Sequence, residues 1–169
     1  MTLEELVDRA EILDVLTRYT RGLDRVEMDL VRSAFHDDAW VEFPEDVYRG
    51  PATGFCNFLA KEMTLFVRTR HHLGNILIEF EGDVAFVETY LNADHEATSY
   101  HKWNGAFVTL WARYTDRFEK RNGVWKIAHR TLLIDWMRKD DDPSGWYKIP
   151  EAQMGKRDGT DLVLRAHSS

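Results

Sequence analysis

The stretch RTRHHLGNILIEF, residues 68–80, decides how the rest of the chain is read. Its β-branched and aromatic residues mark a strand, and adjacent strand residues point to opposite faces. Of His71 and His72, one therefore looks inward and the other at solvent. Strict alternation groups His71 with Leu73, Asn75, Leu77 and Glu79, and His72 with Gly74, Ile76, Ile78 and Phe80. The second set is the more apolar, which favours His72 inward. Gly74 leaves the choice open, because a glycine within a strand invites a bulge, and one extra residue reverses the phase of everything after it.

Downstream, residues 81–94 (EGDVAFVETYLNAD) add a second alternating run, joined to the first at the turn signal EGD. Residues 106–137 carry two more, joined at RNG. Upstream the period changes. Thr2 and Glu5 form a capping box, and Leu3, Leu6, Val7, Ala10, Leu13 and Leu16 recur at helical spacing, which predicts a helix over 3–22 that turns at Gly22. Val26, Leu30, Val31 and Phe35 suggest a shorter second helix. AWVEF, residues 39–43, alternates as a strand. Pro51 then opens a third helix carrying Phe55, Phe58, Leu59, Met63 and Phe66. Three helices followed by a meander of long strands predict an α+β fold, a curved antiparallel sheet with helices on one face enclosing a pocket. Residues 1–138 form this domain. Residues 139–169, with charge, Pro and Gly but no firm period, read as an irregular extension packing on the domain or on a neighbouring subunit.

Composition excludes several functions. With 22 Lys and Arg against 29 Asp and Glu, the net charge of -7 argues against nucleic-acid binding, which needs a basic surface. No apolar run reaches the ~20 residues of a membrane span, and the acidic N-terminus does not read as a signal peptide, so a cytoplasmic location is expected. Cys56, the single cysteine, forms no intramolecular disulfide. His71, His72, His95 and His101 include no helical i, i+4 pair, and neither a metal nor a nucleotide cofactor is indicated. The many aromatic residues, among them Trp40, Phe55 and Trp111, suit a pocket for a small apolar cyclic ligand, with Leu59, Met63 and Leu132 as further wall residues.

YTRGLD (19–24), HHLGN (71–75), IEFEGDVAFVETY (78–90) and RNGVWKIAHRTLLIDW (121–136), in this order, resemble the SnoaL-like branch of the nuclear-transport-factor-2-like superfamily. The resemblance covers residues 3–137. It implies a cone-shaped α+β fold and, by likeness to scytalone dehydratase, the lindane dehydrochlorinase and bile-acid dehydratase, a cofactor-independent lyase or isomerase. Asp24 and His71, with Asn75 four residues on, match the helix-end aspartate and strand histidine of those enzymes. The resemblance thus favours His71 over His72. It implies His71 as base, Asp24 as its orienting partner, Tyr19 as a donor to a carbonyl or leaving oxygen, and Arg130 as a pocket cation. A salt bridge of Arg130 with Asp135 or Glu119 at the surface is the alternative. Dehydration is the favoured reaction. The competing readings are a structural β-type subunit of a ring-hydroxylating dioxygenase and a non-catalytic ligand-binding cone. A homotrimer or homodimer is expected, because one sheet face is too apolar to stay wet.

Overall fold

The computed structural model describes residues 1–44, 46–146, 150, 154–158 and 160. Helix α1 (Leu3–Arg25) starts at the capping box, where Thr2 accepts from the Glu5 N–H and Glu5 accepts from the Thr2 N–H. It runs three residues beyond the expected exit. Gly22 lies inside it, not at the turn, and its role is close approach: a Cβ there would stand 2.8 Å from Val31 Cγ2 and 3.0 Å from the Glu27 carbonyl oxygen. Helix α2 (Met28–Ser33) packs against that bare backbone. Asp24 consequently belongs to the last turn of α1 and is held by a rigid element.

The inward face of α1 is Ile12, Val15, Leu16, Tyr19 and Leu23. Leu3, Leu6, Val7 and Leu13, which share the same period, are exposed. Periodicity identified the helix but not which of two apolar stripes faces the sheet. Helix α3 (Ala52–Glu62) ends in a short 3-10 turn, Met63–Leu65.

Strands β1 (Phe35–Glu42), β2 (Arg49–Pro51), β3 (Phe66–Glu81), β4 (Val84–Ala97), β5 (Phe107–Arg121) and β6 (Val124–Asp140) form one sheet in the order β2-β1-β6-β5-β4-β3. All neighbours are antiparallel except β1 and β6, which are parallel. The EGD and RNG signals become two-residue turns. Asn122 and Gly123 both take positive φ (52° and 77°), the backbone of the turn that matches strand twist. Register shifts between Leu73 and Ile76, Trp111 and Ala112, and Arg117 and Phe118 bend the long strands. The sheet therefore curls around a core of Val41, Phe55, Val87, Phe118, Trp125 and Ile127. Strand β6 continues to Asp140, past the expected domain edge at 138. Part of the 139–169 extension lies outside the described residues.

The shift between Leu73 and Ile76 answers the question posed by the histidine pair. Before it, His71 and Leu73 face inward and His72 is exposed; after it, Ile76, Ile78 and Phe80 take the inward side. Both sets lie on the same face because the bulge at Gly74 and Asn75 inverts the phase between them.

Candidate functional site

The His71 side chain is 6% exposed and the Asp24 side chain 24%. His71 Nδ1 lies 2.7 Å from Asp24 Oδ1, the His71 backbone N–H donates to Asp24 Oδ2 at 2.9 Å, and the Thr69 hydroxyl donates to Oδ1 at 2.9 Å. Burial raises the Asp24 carboxyl, but the imidazole and these donors outweigh it and hold the group below the usual carboxylate range. An ionised carboxylate only accepts, so Nδ1 carries the proton in the pair and, in the neutral ring, Nε2 keeps its lone pair. Nε2 has no hydrogen-bond partner among the described residues. The carboxylate thus holds the ring by Nδ1 from behind and fixes its orientation.

His71 stands between two spaces. On the inside is a cavity of about 300 Å3, walled by Leu23, Leu59, Met63, Phe66, Leu110 and Leu132 among other side chains, with Tyr19, Tyr114 and His95 as polar points and the charged Asp46, Glu62 and Lys102 also in its lining. On the outside is an open groove of about 800 Å3 at the end of α1, lined by Asp24, Arg21, Arg68, Arg70 and Arg157.

From the sequence His95 is weighed only as a metal ligand, whereas the structure places it in the cavity wall. Strand β4 runs to Ala97, and its inward set Ala85, Val87, Thr89, Leu91, Ala93 reaches His95 at the next step of two. Extending the alternation would have found it. The His95 ring meets the His71 ring edge to face at 5.5 Å. Burial, with the His71 charge second, pushes its pKa down to about 3, and Nδ1 is buried with no hydrogen-bond partner. The cavity thus holds a second imidazole that stays neutral across the physiological range.

Tyr19 lines the cavity, almost fully buried, in edge contact with Tyr114 at 5.8 Å. Burial raises both phenols, so both remain protonated donors, with Arg130 opposing the shift.

Arg130 differs from both expectations: it neither lines the cavity nor reaches the surface. Fully buried, it donates from Nε and Nη2 to the two oxygens of Asp116 at 2.8 and 2.7 Å, and lies 4.3 and 3.9 Å from the Tyr19 and Tyr114 ring centres. Burial works against both charges, and the mutual hydrogen bonds and attraction hold the guanidinium above its ordinary value. It is Arg113 that pairs with Asp135 on the outer face, together with Glu88. The sequence contains both carboxylates, but alternation through the bulge at Arg117 and Phe118 is needed to put Asp116 under Arg130.

Of the expected wall residues, Leu59, Met63 and Leu132 line the cavity. Trp40 does not. It projects from the outer face, 42% exposed, while Ala39 and Val41 turn inward. Trp111 also lies off the cavity, because unbroken alternation along β5 turns Leu110, Ala112 and Tyr114 toward the wall and Trp111 to the other face. Phe55 is fully buried among Phe35, Phe43 and Tyr48, one layer behind the cavity. No group of three metal-ligating side chains occurs among the described residues, and no described helix is long and apolar enough to cross a membrane.

The fold has known counterparts. Hexachlorocyclohexane dehydrochlorinase 1 of Sphingobium indicum is 26% identical over 137 residues, 75% of this chain and 80% of that protein. Among solved structures, a Novosphingobium aromaticivorans protein provisionally assigned as a scytalone dehydratase superposes with a TM-score of 0.73 at 24% identity, over 89% of this chain and 94% of the other. The hexachlorocyclohexane dehydrochlorinase of Novosphingobium barchaimii superposes with a TM-score of 0.72 at 21% identity, over 88% and 98%. At these identities the structures speak for the fold, a bent sheet with N-terminal helices. The SnoaL-like domain profile matches residues 4–131, which include Asp24, His71 and His95 and most of the sheet, and the chain belongs to the SnoaL-like domain family.

Proposed function

We propose that this protein is a cofactor-independent lyase, in the first instance a dehydratase, that removes a proton from carbon with His71. The observation that carries the reading is the 2.7 Å contact of His71 Nδ1 with Asp24, which leaves Nε2 as an acceptor beside the cavity. In the elimination, Nε2 takes the proton, the C–H electron pair becomes the new double bond, and the leaving group departs with its bonding pair. The imidazolium so formed is stabilised by the Asp24 carboxylate. A phenol of Tyr19 or the neutral His95 donates a hydrogen bond to the departing or carbonyl oxygen. Arg130 acts behind Tyr19 and Tyr114, as a fixed cation that favours negative charge developing on the far side of those rings.

A cavity of about 300 Å3 sits at the small end of ligand sites, which suits one or two fused rings of mainly apolar character. Relationship to a dehydrochlorinase supports elimination chemistry. The outer sheet face exposes Trp40, Leu77, Phe86, Tyr90, Leu133 and Trp136, and supports association of identical chains as a trimer or dimer.

Purified protein incubated with a panel of cyclic β-hydroxy ketones, with water loss followed by the absorbance of the conjugated product, tests the reading. His71→Gln should lower kcat by about a thousandfold and Asp24→Asn by somewhat less, with ligand binding retained. Full activity in His71→Gln would remove the mechanism. Binding without turnover in the wild type would replace the enzyme by a ligand-binding cone.

A further inference from the structure

We propose that Arg157, in the C-terminal extension, is a positioning residue for the Asp24 and His71 pair, a role that deepens the lyase reading above and rests on it for its kinetic consequence. Its guanidinium donates three hydrogen bonds: Nε to the Asp24 carbonyl at 2.9 Å, Nη2 to the Leu23 carbonyl at 3.2 Å, and Nη1 to the Phe66 carbonyl at 2.8 Å. Those carbonyls belong to the last turn of α1 and the first residue of β3. One side chain, 133 positions along from Asp24, thus ties together the two elements that carry the acid and the base.

Two physical problems at this corner have a common answer in that contact. Asp24 lies at the C-terminal end of a 23-residue helix, where the helix dipole presents negative charge and a carboxylate is disfavoured. The last carbonyls of a helix also have no intrahelical donors of their own. Arg157 supplies a donor to the Asp24 carbonyl and a second one to the Leu23 carbonyl, which also accepts from the Val26 N–H, and places a cation next to the carboxylate. Its side chain does not line the cavity and donates to main-chain carbonyls, those of the wall residues Leu23 and Phe66 among them, so its influence runs through the placement of the Asp24 turn against β3. The neighbouring Met154, whose sulfur lies 2.8 Å from Arg68 Nη1, seats the same segment on β3. Met154 and Arg157 are therefore built into the site from behind, and the side chain that matters is a planar fork suited to several carbonyls at once. Lysine, a point donor, reproduces only part of it.

The test uses the full chain with Arg157→Gln and Arg157→Lys, and two independent readouts. The first is hydrogen exchange of the His71 amide, which donates to Asp24 Oδ2, measured by NMR against the amide of Phe118 in the core of β5. Arg157→Gln should accelerate exchange at His71 by about tenfold or more while leaving Phe118 unchanged, with Arg157→Lys in between. The second is turnover: kcat should fall by about tenfold with KM altered less than about twofold, again partly restored in the lysine variant. Unchanged exchange at His71, or equal acceleration at His71 and Phe118, overturns the inference. A wild type that turns over no substrate, yet shows the selective exchange effect, would sink the lyase reading and leave the positioning role standing.

Discussion

Acidification should destabilise this protein through His95, and the size of the effect follows from its burial. In the folded protein its pKa is pushed down to about 3, whereas in the unfolded chain it sits near the ordinary value of ~6.5. For a base whose folded value is depressed, the unfolded state binds the proton first. Its stabilising contribution is complete above the ordinary value and is lost progressively as pH falls below it, down to the folded value. At pH 7 the loss is only ~0.2 kcal/mol. At pH 5 the unfolded histidine is almost fully protonated and the folded one neutral, which gives a loss of about 2 kcal/mol. Urea unfolding at pH 7 and pH 5, for wild type and His95→Gln, isolates this contribution, since His36, Asp24 and every other titrating group are common to both. The wild type should lose about 2 kcal/mol more than the variant between the two pH values. Parallel pH dependence in the two proteins would refute the reasoning, and would mean that His95 finds a partner for Nδ1 or that the cavity floods.

Arg130→Met should destabilise by ~3–5 kcal/mol by leaving Asp116 unpaired in the core, and Arg130→Met with Asp116→Leu should recover much of that in thermal unfolding. Gly22→Ala should cost about 1–3 kcal/mol despite the better helix propensity of alanine, because its Cβ would meet backbone and Val31 of α2; chemical denaturation reads it, and a more stable variant would contradict the close-packing account. Trp136→Glu on the outer sheet face should shift sedimentation toward monomer while leaving the far-ultraviolet dichroism unchanged; a wild type that sediments as a monomer would remove the expected assembly.

Much of the architecture is legible in the sequence because it rests on local chemistry. The Thr2 capping box, the Asn122-Gly123 turn and the alternation of β4 and β5 each work over a few residues, and each appears where the pattern puts it. Asp24 and His71 meet, although 47 residues separate them, and only the resemblance to a known family pointed to that pair. What alternation alone could not supply is the position of the bulges. A single extra residue between Leu73 and Ile76 decides which histidine is inside, and an extra residue in β6, Ala128, reverses the phase of that strand and buries Arg130 over Asp116. The placement of Arg157 was invisible for a different reason: its three acceptors are backbone carbonyls, which leave no residue-type signature in the sequence.

The order of the strands has a kinetic consequence. Strands β3 to β6 are neighbours in sequence and in space and two of their three connections are tight turns, so this meander can form early from contacts of low sequence separation. Strand β1 gains its only long partner in β6, where Val41 sits opposite Arg130, and β2 pairs with β1 alone. These two strands therefore have no sheet to join until the last strand is in place. Helix α1 can meet β3 as soon as that strand forms, as Asp24 and His71 do across 47 positions, whereas β1 and β2 must wait for β6. On this topology the docking of β1 on β6 is expected to follow formation of the β3–β6 meander, an order that phi-values at Val41 and Phe118 would read.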